Sequence, residues 1–405
     1  MSTGDHEEGY RELAGVFGER FRREDPTGPG ASVSPADAEE IALVAELAHR
    51  HVLPLSLRGA GTVFGPAEFT AGLSLRFELM KRFAVRRGGE PSVELEPGIP
   101  WVELEDHLRA EDVSLRVYPT SAPRSTVGGW LARDGLGLGS YEYGWLSENV
   151  DSVEVVLPGG ARRVVKSPDL GLIIGAEGAT GIIVGATLRL REAGHDRPFA
   201  AAFDDTAGLA RAVGSLADAE ERSPLWHLGL AHPALALAEG PGEGYVLFGT
   251  HPGDRGGRIE SGLGRVISSY GGEMLSSAEA YRSWGARFFP AGLTGDLPSP
   301  AQAVVPVAGL EEVFLQLGKE APQLAVQGSV ARGGEVLLTS FGIGANENPE
   351  TPGEEDRGVL LRISRQAGGG EYLVGLRRYE DHPRREELLR LKEEVDPKGI
   401  LQSLR

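Results

Sequence analysis

The chain has 405 residues, long enough for two or three cores, and its 40% hydrophobic content is that of folded soluble proteins. A formal charge of -18, from 59 acidic against 41 basic residues, argues against general nucleic-acid binding while leaving single arginines free to line a pocket. The absence of cysteine removes disulfides, thiolate catalysis, iron–sulfur ligation and cysteinyl cofactor attachment.

In chain order, residues 7–21 predict a short helix on Tyr10, Leu13, Val16 and Phe17, and REDPTGPGAS a linker. SPADAEEIALVAELAHRH predicts a second helix with a serine cap and Pro35 just inside. VLPLSLR then runs as a strand into the glycine turn GAGTVFG. GLSLRFEL and SVELEPG alternate like strands, and WVELEDHLRAEDV is helical. DSVEVVLPGGARRVV reads as a hairpin, and DLGLIIGAEGATGIIVGATLRLRE as a short helix, a glycine turn and a long strand. The composition changes near Gly194–Arg197. Beyond it, FDDTAGLARAVGSLADAE, SSAEAYRSWGARFF and HPRREELLRLKEEVDP predict helices, and LWHLGLAH and EGYVLFGT predict strands. AVVPVAGLEEVFLQLGKE joins a strand to a helix, SVARGGEVLLTSFG is a hairpin candidate, and NENPETPGEED reads as a polar loop. This half suggests an α+β domain whose sheet is covered on one face.

The 58 glycines are about twice the share expected from a typical usage of roughly 7%. They concentrate in Gly59–Gly65, Ser121–Gly139 and Gly175–Gly181. None is a mononucleotide phosphate loop, and GAEGATG is followed by a strand where the dinucleotide fingerprint requires a helix. Each alone reads as ordinary tight turns. Three in one segment fit a backbone cradle for a diphosphate-bearing cofactor, with hydroxyls from Thr62, Ser121, Ser125 and Thr126.

In order, LPLSLRGAGT, VELEPG, YPTSAPRSTVGGWLARDGLG, YEYGWLSENVDSVEVVLPGG and DLGLIIGAEGATGIIVGATLRL resemble the motifs of the vanillyl-alcohol oxidase-type FAD-binding domain. The terminal DPKGIL is similar to the ending of D-lactate dehydrogenases and glycolate oxidases of that superfamily. The resemblance is close over residues 28–192, faint over 195–385, and returns at 386–405. It implies an α+β fold: an FAD-binding domain of two α+β subdomains at 28–194, a second α+β cap or substrate domain at 195–385, and a tail at 386–405 returning to the first. It assigns Arg58, Gly59, Ala60, Gly61, Thr62 and Gly65 to the pyrophosphate loop. Pro119, Thr120, Ser121, Ser125, Thr126, Gly128 and Gly129 correspond to the stretch running toward the isoalloxazine edge. Gly135, Gly137, Tyr143 and Gly144 fall in the next flavin-contacting stretch, and Glu177, Gly178, Gly181, Ile182 and Ile183 in the last.

The chain departs from the family in three places. RGAGTVFG lacks the histidine that attaches flavin in many relatives, so non-covalent FAD is expected. Arg133-Asp134-Gly135-Leu136-Gly137 replaces the usual asparagine-alanine-glycine-glycine, and the charged pair either alters contacts beside the flavin or sits at the mouth of the site. His195, His227, His232, His251 and His382 form no two-histidine motif, so no metal is expected.

The organisation resembles the smaller FAD-binding subunit of bacterial glycolate oxidase, which implies a partner subunit or a different substrate. The expected activity is oxidation of a small 2-hydroxy acid, of glycolate or D-lactate type, by hydride transfer to flavin N5. The alternatives are an alcohol, sugar or aldehyde oxidase, or a non-catalytic flavin-binding subunit. A carboxylate substrate calls for an arginine, and Arg287, Arg332 and Arg378 are the candidates, with Arg377 beside the last. Tyr141, Tyr143 and Trp145 form either a pocket wall or core packing. MSTGDHEEGYREL offers no apolar signal-peptide run, so the expected location is cytoplasmic, with peripheral membrane association through a partner as the alternative.

Overall fold

The computed structural model describes residues 3–23, 30–61, 72–218, 224–232, 235, 245–253, 256–288, 300–343, 349–350, 354–379 and 382–404. Three sheets organise it.

The first sheet is built from β1 (Phe21–Arg23), β2 (Gly30–Val33), β3 (Leu55–Arg58) and β4 (Gly72–Arg76), in the order β1-β2-β4-β3. β2, β4 and β3 run parallel, which requires a crossover. α1 (Thr3–Phe17) packs against α2 (Ala38–His51), which supplies the crossover from β2 to β3. The Asp37 side chain accepts from Glu40 N and caps α2, a contact worth about 1 kcal/mol. Ile41, Val44, Ala45, Leu47 and Ala48 face the core, as their spacing predicts.

The second sheet contains β5 (Phe83–Arg86), β6 (Ser92–Leu95), β7 (Val113–Leu115), β8 (Val150–Val156), β9 (Arg162–Val165) and β10 (Ile182–Glu192). All its pairings are antiparallel, in the order β5-β6-β10-β8-β9 with β7 beside the end of β10. α3 (Trp101–Arg109), α4 (Val127–Leu131) and α5 (Ser140–Tyr143) lie between its strands in sequence. Val156, Ile182 and Val184 join the core of the first sheet, while Val153, Val155 and Ile183 line the core of the second. Alternation along β8 and β10 thus ties the two sheets together.

The third sheet has nine strands: β11 (Asp196–Phe203), β12 (His227–Ala231), β13 (Tyr245–Pro252), β14 (Glu273–Met274), β15 (Gln302–Pro306), β16 (Leu324–Ala331), β17 (Glu335–Ile343), β18 (Pro349–Glu350) and β19 (Gly370–Glu371). Its order is β14-β11-β13-β12-β16-β17-β15-β19, with β18 on β17. α6 (Thr206–Ala217), α7 (Gly256–Ser269), α9 (Leu310–Glu320) and α10 (Glu354–Gln366) share the core on one face. α8 (Ser277–Gly285) packs through Ala280 on the other, against Ala200, Ala231, Phe248 and Phe341. The sheet therefore carries a helix on the face expected to be open. α11 (Arg385–Val395) packs against residues 169–172.

The hairpin β8–β9, the hairpin β16–β17 and the long β10 fall where the turn chemistry places them. Other elements differ. DRPFAAAF, directly after the composition change, forms β11 with an eight-pair ladder to β13. The helix begins only at Thr206, capped by Asp205. α7 carries no clear helical pattern because glycines dilute it; those at 257, 262 and 264 face open space. α10 starts inside the segment expected to be a loop, and β2 lies at the end of the expected linker. Among the described residues no helix is long and apolar enough to cross a membrane.

Candidate functional site

β3 delivers the chain to Arg58–Gly61 at the edge of the first sheet. A Cβ on Gly59 would stand 2.6 Å from Thr126 Oγ1 and 3.6 Å from Gly129 Cα, so this loop lies directly against the start of α4. Gly61 has φ +67, in the left-handed region that favours glycine. Thr62 and Gly65, assigned to the same loop by resemblance, lie outside the described residues.

In the second stretch, Thr126 caps α4 by accepting from Gly129 N at 3.3 Å. The Val127 and Gly128 N–H groups are spent on the carbonyls of Ile99 and Pro97. Ser125 Oγ turns inward, donating to Ser121 O at 3.0 Å. This stretch is thus a wall more than a row of donors. Among the described residues, the N–H groups of Ala60, Gly61, Ser121 and Gly178 have no protein acceptor, which leaves backbone donors of the kind diphosphate oxygens need.

The third stretch is locked to the second by paired backbone bonds, Tyr118 N to Leu138 O at 3.1 Å and Leu138 N to Tyr118 O at 2.8 Å. Gly137 between them has no room for a side chain, because a Cβ would strike the Tyr118 carbonyl. α5 follows, packs against β12 and β16, and receives Arg332 N on Ser140 O at 2.8 Å. Its Tyr141 phenol donates to Leu216 O at 2.6 Å and joins the core of the third sheet, so Tyr141 serves packing. Tyr143 is half-buried under the Arg116 guanidinium, and burial pushes its phenol up to about 12.

The fourth stretch meets the others. Glu177 N donates to Ala132 O at 2.8 Å, Gly175 N donates to Leu131 O at 3.1 Å, and Gly178 backs onto the Leu57 side chain. Gly181 sits over Val155, and Ile182 and Ile183 are buried on opposite faces of β10. All four stretches therefore converge between the first two sheets, and the close glycines and open N–H groups fit a phosphate-bearing flavin.

The charged departure from the family has a specific environment. Asp134 is 2% exposed with φ +57. Its carboxylate accepts from Ser147 N at 3.0 Å, Ser147 Oγ at 2.7 Å and Arg378 Nη1 at 2.7 Å. Arg378 also lies 4.2 Å above the Trp145 ring, which stacks on Tyr372, whose hydroxyl accepts from Leu136 N at 2.6 Å. Gly375 N donates to Arg133 O at 2.7 Å. Asp134 is thus an internal anchor that holds residues 372–378 against the third stretch.

The arginine candidates separate clearly. Arg332 pairs with Glu148 at 2.5 Å, Arg377 with Glu371 at 2.8 Å, and Arg378 with Asp134. Arg287 has no carboxylate partner among the described residues. Its guanidinium lies over Trp284 and Phe288 at 4.5 and 4.2 Å, Nη1 donates to Trp284 O, and Nε is buried without a partner. Tyr118 stands nearby, its phenol pushed up to about 12, chiefly by burial and then by Glu105, with Arg287 opposing. His227 is buried in the same neighbourhood, and burial followed by the charge of Arg287 lowers it to about 3. Tyr118 was not legible as a site residue, since nothing local marks a tyrosine one position before a flavin stretch. Among the described residues no group of three or more His, Asp or Glu side chains is placed to hold a metal.

Residues 29–166 match the family described as "FAD binding domain". The mitochondrial D-lactate dehydrogenase [cytochrome] of Arabidopsis thaliana is 31% identical over 175 residues, covering 40% of this chain and 30% of that protein. Glycolate oxidase subunit GlcD of Bacillus subtilis is 26% identical over 173 residues, 40% of this chain and 37% of that one. The aligned part thus spans about a third of each relative's length. A solved alkyldihydroxyacetonephosphate synthase superposes over 97% of this chain and 84% of its own, with TM-score 0.73 and 19% identity. Residues 29–166 therefore form an FAD binding domain similar to that of D-lactate dehydrogenases and glycolate oxidases, and the chain has the fold of the solved alkyldihydroxyacetonephosphate synthase.

Proposed function

We propose that this protein is an FAD-dependent oxidoreductase acting on the CH–OH group of a small 2-hydroxy acid of the glycolate or D-lactate type. The observation that carries the reading is the mutual packing of Arg58–Gly61, Pro119–Gly129, Gly135–Gly144 and Glu177–Ile183, with the third stretch packed against β12 and β16. The cofactor is non-covalent: the chain has no cysteine and RGAGTVFG has no histidine. We place the FAD-binding domain at 28–194, the substrate domain at 195–385, and the tail that returns to the first at 386–405.

When bound, FAD would supply a two-electron acceptor for the carbinol hydride at its N5, so that loss of the hydroxyl proton leaves a 2-oxo acid, and the open N–H groups of Ala60, Gly61, Ser121 and Gly178 would hold its diphosphate. The chain's own tasks are to hold that cofactor with backbone donors, exclude water with the aromatic side chains around Tyr118, and fix the substrate's charged end. A partner subunit or a homo-oligomer, and a cytoplasmic location with or without peripheral membrane association through a partner, belong to the same proposal. Gel filtration after incubation with FAD tests the cofactor arrangement. A yellow protein carrying about one flavin per chain, released intact on denaturation, supports it; a colourless protein refutes it.

A further inference from the structure

Three buried polar atoms without partners among the described residues lie in one neighbourhood: Arg287 Nε, His227 Nδ1 and Thr250 Oγ1. His227 opens β12 and Thr250 is its register partner on β13, so their side chains share a face of the sheet. The next position on that face is Gly229, where a Cβ would stand 2.9 Å from His227 Nε2. Arg287 follows α8 and is held through its backbone, with Gln327 Nε2 donating to Arg287 O at 3.1 Å. The guanidinium is thereby positioned without its own donors being consumed by an acid. Tyr118 enters from the flavin-binding side, its ring 5.8 Å from Trp226 and 6.4 Å from Phe288.

The charges around this group are otherwise committed. Arg109 and Arg191 both pair with Asp196, and Glu105 is engaged by Arg109, Ser114 Oγ and Leu115 N. Among the described residues Arg287 has no carboxylate partner, and it is flanked by a neutral imidazole and a protonated phenol. A buried guanidinium N–H without an acceptor is costly to maintain, and a carboxylate satisfies both the charge and the fork of donors.

We propose that Arg287, with His227, Thr250 and Tyr118 around it, is the anion-holding end of the substrate site and takes a carboxylate of a small carboxylic acid. This rests on the oxidoreductase reading for its chemistry, but its binding test does not. Oxalate, an anion that cannot be oxidised at a carbinol, is titrated into the FAD-loaded protein and followed by calorimetry and by the visible flavin spectrum. The expected result is saturable binding that weakens about 30-fold or more in Arg287→Gln and less in Arg287→Lys, which keeps the charge and loses the fork. Should Arg287→Gln not fold, Arg287→Lys and Thr250→Val decide, both being expected to bind more weakly.

Oxalate binding that is absent in the parent protein, or unchanged in the folded variants, overturns the proposal. The two readings fail separately. Arg287-dependent oxalate binding without flavin reduction by any 2-hydroxy acid keeps this site and removes the chemistry. Reduction by a 2-hydroxy acid with the same KM in parent and Arg287→Gln removes this site and keeps the chemistry.

Discussion

Arg378 Nη1 donates to Asp134 Oδ2 at 2.7 Å, joining positions 244 residues apart across the junction of the third flavin stretch with residues 372–378. The Asp134 side chain is 2% exposed and that of Arg378 34%, so only the carboxylate is fully removed from water. Asp134→Ala strands Arg378 and both donors of Ser147, and should cost about 3 kcal/mol. Arg378→Met should cost less, about 1–2 kcal/mol, because the guanidinium is partly solvated. The double variant should be less than additive when measured by urea unfolding. Strict additivity would show that the pair is not coupled.

Gly137 and Gly139 leave no space on the side facing Tyr118 and Arg116. Gly137→Ala must displace the Tyr118–Leu138 bridge that fastens two flavin stretches, so the purified variant should carry less than about half of the parent's flavin. Gly257→Ala, at an open helical position, should keep the parental content and gain stability of up to about 1 kcal/mol. Equal flavin in the Gly137 variant would remove this stretch from the cofactor site.

His227 gives stability a defined pH dependence. Unfolded, its imidazole titrates near 6.5; folded, burial holds it neutral down to about 3. Between those values the unfolded chain binds the extra proton. The contribution is therefore complete above about pH 6.5 and declines as pH falls, by up to about 1.4 kcal/mol per pH unit. Asp196, held low by Arg191 and Arg109 against the cost of burial, acts in a lower window beneath the ordinary carboxylate value. Denaturation at a series of pH values should show a shallower slope between pH 4 and 6 in His227→Gln than in the parent. Parallel curves would mean that the imidazole is not protected.

The Asp396 carboxylate is buried, accepts from Ile400 N and Leu401 N at 3.0 and 2.9 Å, and pairs with Lys392 at 2.5 Å. Ile400 O in turn accepts from Leu55 N at the start of β3, the strand that leads to Gly59. Asp396→Ala should lose about 3 kcal/mol and release flavin faster on dilution, while Asp396→Asn should retain part of both. Unaltered flavin release in a destabilised Asp396→Ala would confine the tail to a purely structural role.

What could be read from the sequence was local. Glycine turns, the Asp205 and Ser276 neighbourhoods and the PGG hairpin each carry their signal within a few residues, and the ordered motifs identify the flavin domain. The fate of Arg133-Asp134 was illegible because its partner lies far along the chain, in a segment without a motif. Thr250 meets His227 only through the β12–β13 register, and β11 exists because β13 offers it a full ladder. Three arginine candidates were indistinguishable by spacing; the ion pairs formed by Arg332 and Arg378 set Arg287 apart.

Under the proposed function, a flavin seated in these four stretches accepts electrons from a 2-hydroxy acid. The most direct test is the absorbance spectrum of the FAD-loaded protein before and after anaerobic addition of glycolate, D-lactate and L-lactate, with simple alcohols and sugars for comparison. Rapid bleaching of the oxidised flavin band by one of the hydroxy acids is expected, and none by neutral alcohols or sugars. A spectrum unchanged by every hydroxy acid, or bleached by an alcohol or sugar instead, would contradict it.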